Sequence, residues 1–147
     1  MTTRVLFLCT GNSARSVIAE ALLNELGGAD FEVHSAGTHP KGLNPFTAKV
    51  LDQEHIDWSG FRSKDVSEFE GQRFDYVITV CDAAAEECPL FPGAPRRIHW
   101  NFPDPAAVEG NDLAKFAAFQ TTLREMRRRI SLFIPVALRD SAPASGH

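Results

Sequence analysis

The strongest constraint on this chain lies at its opening. Val5, Leu6, Phe7 and Leu8 form an unbroken apolar run, and the polar segment Cys9-Thr10-Gly11-Asn12-Ser13 follows without a spacer. A half-exposed strand would alternate, so the unbroken run predicts a strand buried on both faces, as in a covered parallel sheet. Directly afterwards Val17, Ile18, Ala21, Leu22 and Leu26 recur at helical spacing over Ala14 to Leu26, and Gly27-Gly28 supplies the stop signal. A strand, a tight loop and a helix in that order place the loop at the C-terminal edge of a sheet, where ligands of such folds bind.

The pattern repeats along the chain. Phe31 to Ala36 alternates and predicts a second strand with one buried face, followed by a loop from Gly37 to Gly42. Asn44-Pro45 reads as a cap and first position of a helix running to about His55, and Ser67 to Glu70 suits a single turn. Tyr76 to Val80 predicts a third strand ending at Cys81, and Arg97 to Trp100 a fourth. Asp112 is expected to cap a long helix with Leu113, Phe116, Phe119, Leu123, Met126, Ile130 and Phe133 on its apolar face, which Pro135 should end or kink. Strands alternating with helices imply right-handed crossovers and a three-layer α/β/α fold around a central four-stranded parallel sheet. We expect a single catalytic domain over residues 1–139 and a loose tail over 140–147, which is rich in Ala, Pro, Ser and Gly.

Composition narrows the function. A chain of 147 residues that is 44% hydrophobic and 23% charged can bury one core without disulfides or a structural metal. A net charge of −4 disfavours a nucleic-acid partner. No apolar run approaches the roughly 20 residues of a membrane span, and Val5 to Cys9 is too short for a signal-peptide core of about 7–15 residues. The expected address is the cytoplasm, and the expected state a monomer. Three cysteines are an odd number, so any disulfide here should be transient and chemical.

Chemistry concentrates in Cys9-Thr10-Gly11-Asn12-Ser13-Ala14-Arg15-Ser16. Successive backbone N–H groups closing on a helix start make an anion cradle, and Gly11 and Asn12 best tolerate a positive φ within it. Arg15 adds a planar fork that takes two oxygens at once. The same donors, with a hydrogen bond from Ser16, stabilise a thiolate at Cys9 and make it a nucleophile. The expected oxyanion-binding residues are Thr10, Gly11, Asn12, Ser13, Ala14 and Arg15. Neither Cys81 nor Cys88 is followed by arginine at the same distance.

This loop resembles the signature of the low-molecular-weight protein tyrosine phosphatases and of the arsenate reductases that share their fold, and the similarity runs from Val5 to about Phe133. The resemblance implies a general acid in the late Asp104-Pro105 pair. Expelling oxide from a tetrahedral centre needs a proton, and a positioned carboxylic acid contributes typically 10²–10⁴-fold.

The segment Cys81-Asp82-Ala83-Ala84-Ala85-Glu86-Glu87-Cys88-Pro89 resembles the redox helix of thioredoxin-coupled arsenate reductases. The resemblance implies that Cys9 attacks arsenate, that Cys81 then attacks Cys9 to release arsenite, and that Cys88 takes the oxidation over for a reductase, with thioredoxin expected. Were residues 82 to 88 helical throughout, the two Cα atoms would stand roughly 10 Å apart, whereas a disulfide tolerates about 4.4–6.8 Å. The segment is therefore expected to unwind, with Pro89, Pro92 and Gly93 as its mobile flank. Where related phosphatases carry aromatic residues to stack a substrate ring, this chain has Ala106 and Ala107, and its single tyrosine, Tyr76, lies in a strand.

Some relatives hold a potassium ion beside the loop, and the matching positions are Asn12, Glu20, Ser35, Ser63 and Asp65. Arg62 or Lys64 could replace that ion, and no other cofactor is expected. Arg127 to Arg129 reads as a solvated helix face, and His34, His39, His55 and His99 lack metal-ligand spacing. Two other functions stand beside arsenate reduction: a hydrolase of small phosphate esters or phosphotyrosine, with phosphate or sulfate as oxyanion analogues, and a non-enzymatic sensor signalling through Cys88.

Overall fold

The computed structural model describes residues 2–83, 91 and 96–140. Its sheet contains β1 (Thr3–Cys9), β2 (Phe31–Gly37), β3 (Tyr76–Thr79) and β4 (Arg96–His99), in the order β2-β1-β3-β4. Every neighbouring pair is parallel, with Val5 opposite Val33 on one side and Tyr76 on the other. β1 takes the inner position that its composition demands, since Val5, Leu6, Phe7 and Leu8 are wholly buried. β4 closes one edge and is mostly exposed.

Three α-helices are found among the described residues: α1 (Arg15–Gly27), α2 (Pro45–Gln53) and α3 (Asp112–Asp140). All three pack with Val5, Phe7 and Ile78 on one face of the sheet. The other face carries Leu6, Leu8 and Val77, covered by Phe69, Phe74 and Phe91, and Phe69 belongs to a 3-10 turn at Val66–Phe69. Because side chains of β1 alternate, its odd residues feed the helical layer and its even residues the second layer. The expected three-layer architecture around a parallel sheet is the one observed.

Local signals account for the helix ends. Asn44 caps α2 by accepting the Phe46 N–H at 2.8 Å, with Pro45 in the first turn. Gly28 ends α1 at φ 59°, its N–H on the Asn24 carbonyl.

Several expectations need correction. The cap of α3 is Asn111, whose Oδ1 accepts the Ala114 N–H at 2.9 Å, and Asp112 is already inside the helix. Leu113 is 77% exposed and does not join the apolar face. Pro135 does not end α3, which continues to Asp140, a residue the sequence reading assigned to the tail. The carbonyl that Pro135 deprives of a partner belongs to exposed Ser131, which water can reach, while Ala137 beyond it is fully buried and keeps the last turns docked. The third strand stops at Thr79 rather than Val80, and the fourth begins at Arg96 and stops at His99. The expected unwinding segment beyond Ala83, with Cys88, Pro89, Pro92 and Gly93, lies outside the described residues, as do positions 141–147.

Candidate active site

The loop after β1 is built by its neighbours. The carbonyl of Thr10 accepts the His39 N–H at 2.9 Å, that of Gly11 the Lys41 N–H at 3.0 Å, and that of Ser13 the Asn44 N–H at 3.0 Å. The Asn12 carbonyl accepts the Ser63 hydroxyl at 2.9 Å, and the Ser13 carbonyl also takes the Thr47 hydroxyl at 2.8 Å. In a planar trans peptide each carbonyl points away from the following N–H. Four carbonyls held outward therefore turn the N–H groups of Gly11, Asn12, Ser13 and Ala14 toward the other side. That is the physical content of an anion cradle, and it leads directly into the first turn of α1.

The bend needs two special positions. Asn12 has φ 45°, the conformation that Asn tolerates better than most residues. At Gly37 the limit is space: a Cβ would stand 2.5 Å from the Thr10 carbonyl oxygen and 2.9 Å from both the Asn12 nitrogen and the Cys9 carbonyl oxygen. The end of β2 thus supports the loop from behind.

Cys9 is a buried free thiol, 2% exposed, at the end of β1. Its Sγ lies 2.9 Å from the Ser16 hydroxyl. The rest of the network sets the other partners of that hydroxyl. The Asn12 Oδ1 accepts the Lys64 N–H at 2.8 Å, so the other end of that amide is Nδ2. Nδ2 donates to Ser16 Oγ at 2.8 Å and to Ser35 Oγ at 2.9 Å. The Ser16 hydroxyl keeps its own proton for the Cys9 sulfur and can donate to a thiolate there, and the Ser35 hydroxyl donates to Glu20 Oε1. A chain of hydrogen bonds, branching at the Asn12 amide, joins Glu20, Ser35, Asn12, Ser16 and the sulfur. Among the described residues no buried side-chain nitrogen or oxygen lacks a partner.

Arg15, the first residue of α1, is 4% exposed and sends Nη1 to the Phe102 carbonyl at 3.0 Å. Burial with a charge-assisted bond at one nitrogen orients the whole planar fork. Asp104 follows two residues later. It is half-buried and caps a 3-10 turn at Pro105–Ala107, Oδ1 accepting the Ala106 N–H at 2.9 Å. Ala106 and Ala107 are exposed, and Tyr76 is buried in β3.

Cys81 lies two residues beyond β3, whose continuation stays paired with β1 through Val80 N–H to the Leu8 carbonyl at 2.8 Å. It is fully buried and disulfide-bonded. Its carbonyl accepts the Phe102 N–H at 3.2 Å, so the residue that anchors Arg15 also holds Cys81. Cys88 lies outside the described residues.

The five positions matched to a potassium ion come near one another in part, and their side chains are engaged with protein groups. Asn12 Oδ1 takes the Lys64 N–H, Ser35 serves Glu20, Ser63 donates to the loop carbonyls, and Asp65 Oδ1 accepts the Ser67 N–H at 2.8 Å. Burial raises the Glu20 carboxyl above its ordinary value, opposed by the Ser35 hydrogen bond and by the Lys64 charge. Lys64, itself pushed down by half-burial, supplies the positive charge that an ion would bring. Among the described residues no group of three or more His, Cys, Asp and Glu side chains could hold a metal.

Sequence reasoning missed Gly37 and Phe102. Both act through backbone proximity, which leaves no residue-type signal; the loop carbonyls that meet the chain from His39 to Asn44 are equally silent.

The sequence profile described as low molecular weight phosphotyrosine protein phosphatase matches residues 4–138. An arsenate reductase of Halalkalibacterium halodurans is 40% identical over 88% of this chain and 93% of its own length. The crystal structure of an arsenate reductase from Archaeoglobus fulgidus superposes with a TM-score of 0.74 at 25% identity, covering 89% of this chain and 98% of that one. A thioredoxin-dependent arsenate reductase of Corynebacterium glutamicum superposes with a TM-score of 0.62 at 29% identity, over 89% of this chain and 63% of that one. Among the described residues no helix is long and apolar enough to cross a membrane. With a buried thiol at the end of β1, a loop leading from it into α1 and a buried arginine as the first residue of that helix, the chain belongs to the low molecular weight phosphotyrosine protein phosphatase family.

Proposed function

We propose that this protein reduces arsenate to arsenite. The observation that carries the reading is a pair of buried sulfurs at the C-terminal ends of two paired strands, β1 and β3: Cys9 is free at the start of the loop while Cys81, two residues past β3, is oxidised to a disulfide. A hydrolase needs the first of these and has no use for the second. The relatives named as arsenate reductases support the same substrate.

The chemistry balances over three sulfurs. Arsenate sits on the loop N–H groups and the Arg15 fork. The Cys9 thiolate, steadied by the Ser16 hydroxyl, attacks arsenic, and an oxygen leaves as water after protonation by Asp104. This forms an S–As bond and breaks an As–O bond. The Cys81 thiolate then attacks the Cys9 sulfur; an S–S bond forms, the S–As bond breaks, and its electron pair stays on arsenic, which departs as arsenite. Cys88 attacks Cys81 in turn and releases the Cys9 thiolate. Reduction of the last disulfide takes two electrons from a dithiol, and the name of the Corynebacterium glutamicum relative supports thioredoxin. A free Cys9 beside an oxidised Cys81 is the state that the end of such a turnover leaves. We infer one catalytic domain working in the cytoplasm, where a dithiol reductant is at hand. No step passes through potassium.

The test is arsenate-dependent oxidation of reduced thioredoxin, with Cys88→Ser beside the wild type. The reading expects steady turnover by the wild type and at most one equivalent of arsenite from the variant. Wild-type hydrolysis of phosphate esters without arsenate turnover would overturn it in favour of a hydrolase.

A further inference from the structure

The start of the relay segment is held by a side chain that the mechanism above does not use. Asn101 lies two residues beyond β4, next to Phe102, and is exposed. Its Oδ1 accepts the Ala83 N–H at 2.9 Å, and its Nδ2 stands 3.5 Å from Asp82 Oδ1. The Ala83 donor fixes which end of the amide is oxygen, so His99 Nε2, 3.2 Å from the same Oδ1, is the donor in that contact. On its other side His99 Nδ1 lies 2.7 Å from the Thr79 hydroxyl. Thr79 and His99 face each other across β3 and β4. The ring is thereby locked between two strand ends, and Asn101 is locked by the ring.

Phe102 adds the second clasp, its N–H on the Cys81 carbonyl. With Cys81 disulfide-bonded, residues 81–83 are thus bonded at three successive positions to Asn101 and Phe102, just beyond β4: at the Cys81 carbonyl, toward the Asp82 carboxylate and at the Ala83 N–H. The relay requires Cys81 to meet Cys9 first and Cys88 afterwards, so the chain beyond it has to move while its own position beside β1 is kept. Among the described residues the clasp covers positions 81 to 83.

We propose that Asn101 is a positioning residue for sulfur transfer, fixing Asp82 and Ala83 so that the Cys81 thiolate is presented to Cys9 when the Cys9–Cys81 bond forms and the S–As bond gives its electron pair to arsenic. This rests on the arsenate-reductase reading, and it assigns Asn101 to the second step alone. Its amide and the His99 ring bond to Ala83, Asp82 and Thr79, none of them in the loop from Cys9 to Ala14.

The experiment stalls the relay and times its middle step. In a Cys88→Ser background, one equivalent of arsenate is added to reduced protein, and the Cys9–Cys81 disulfide is quantified by thiol alkylation and mass analysis. Asn101→Leu has nearly the shape of Asn without its polar atoms; Asn101→Asp keeps the acceptor for Ala83. The proposal expects Asn101→Leu to slow disulfide formation by about tenfold, the effect of releasing one or two ordinary hydrogen bonds. Asn101→Asp keeps the Ala83 bond but loses the donor to Asp82 and sets a second carboxylate beside it, so it should recover only part of the rate. Phosphate-ester hydrolysis, competitive inhibition by phosphate and the melting temperature should be unchanged in both. In full turnover kcat falls and KM does not. An unaltered rate in Asn101→Leu would overturn the proposal, and so would an equal fall in hydrolysis and disulfide formation. Failure of the Cys88→Ser parent itself to form the disulfide would instead overturn the relay.

Discussion

The buried guanidinium of Arg15 is tied to the carbonyl of Phe102 at 3.0 Å, which couples the first turn of α1 to the strand end that carries Asp104. That bond sets the orientation of the guanidinium plane, the fork to which the proposed function assigns the oxyanion.

Lysine cannot do both. Arg15→Lys keeps the charge but offers a point donor without a planar fork. We expect weaker phosphate inhibition and a fall in turnover of roughly 10²–10³, typical for loss of an oriented oxyanion donor. Inhibition and steady-state kinetics on the folded variant check this; a fall below fivefold would mean that the fork is not the clamp.

Gly37→Ala should damage the same site from the opposite side. Its Cβ would meet backbone at 2.5 Å, and backbone cannot swing away as a side chain does. Overpacking of this kind costs about 1–3 kcal/mol, and here the displaced atoms belong to the cradle. The variant should lose both stability and oxyanion affinity. Gly11→Ala is the control, since its nearest neighbours are the Ser13 hydroxyl at 3.2 Å and the Lys41 chain at 3.3 Å, both side chains able to yield. Denaturation midpoints and phosphate inhibition compare the two, and equal effects would contradict the contact.

Glu20 gives a pH signature. Burial, its largest cause, raises the carboxyl above 4.5, so the folded protein binds this proton more tightly than the unfolded chain. The folded state's advantage is then greatest below pH 4.5 and is lost as pH rises through the raised value. The stability of the wild type relative to Glu20→Gln should fall across that window and level off above it. Denaturant melts over a pH series measure the difference, and a flat difference would refute it. Exchanging sodium for potassium should leave the wild-type melting temperature unchanged, because Lys64 already faces the Glu20 carboxylate.

Tyr76 offers a clean titration, being the single tyrosine. Its hydroxyl donates to Asp140 Oδ2 at 2.7 Å, and burial first, then that hydrogen bond, raise the phenol from 10.0 to about 12. Phenolate absorbance in the folded protein should rise near pH 12, against 10 in denaturant. Since the folded state keeps the proton longer, stability falls as pH climbs from 10 toward 12, and Tyr76→Phe should remove that slope. A folded midpoint near 10 would mean that the end of α3 is not held at Asp140.

Much of the architecture was readable along the chain because the determining interactions are local or periodic. The apolar run of Val5 to Leu8 selects an inner parallel strand; the Asn44-Pro45 pair starts a helix; Cys9, Arg15 and Ser16 sit near one another because one loop and one helical turn separate them. Of the expectations that failed, Leu113 in the core turns on which neighbour lies across the interface, a matter periodicity does not contain; the cap fell to Asn111, one residue earlier than Asp112, and of the two outcomes expected at Pro135 the end of the helix there did not occur.

What tertiary structure alone decided is how that loop is held and what it is connected to. The carbonyls of Thr10 to Ser13 are turned outward by chain segments 29 and more residues away in sequence, from His39 to Ser63, so the inward-facing amides are a product of packing. Phe102 and Asn101 matter through a peptide group and a single amide placed beside Cys81 by strand pairing. A sequence specifies residue types and short-range geometry. Backbone donors and acceptors are the same at every position, and only the fold determines which of them meet.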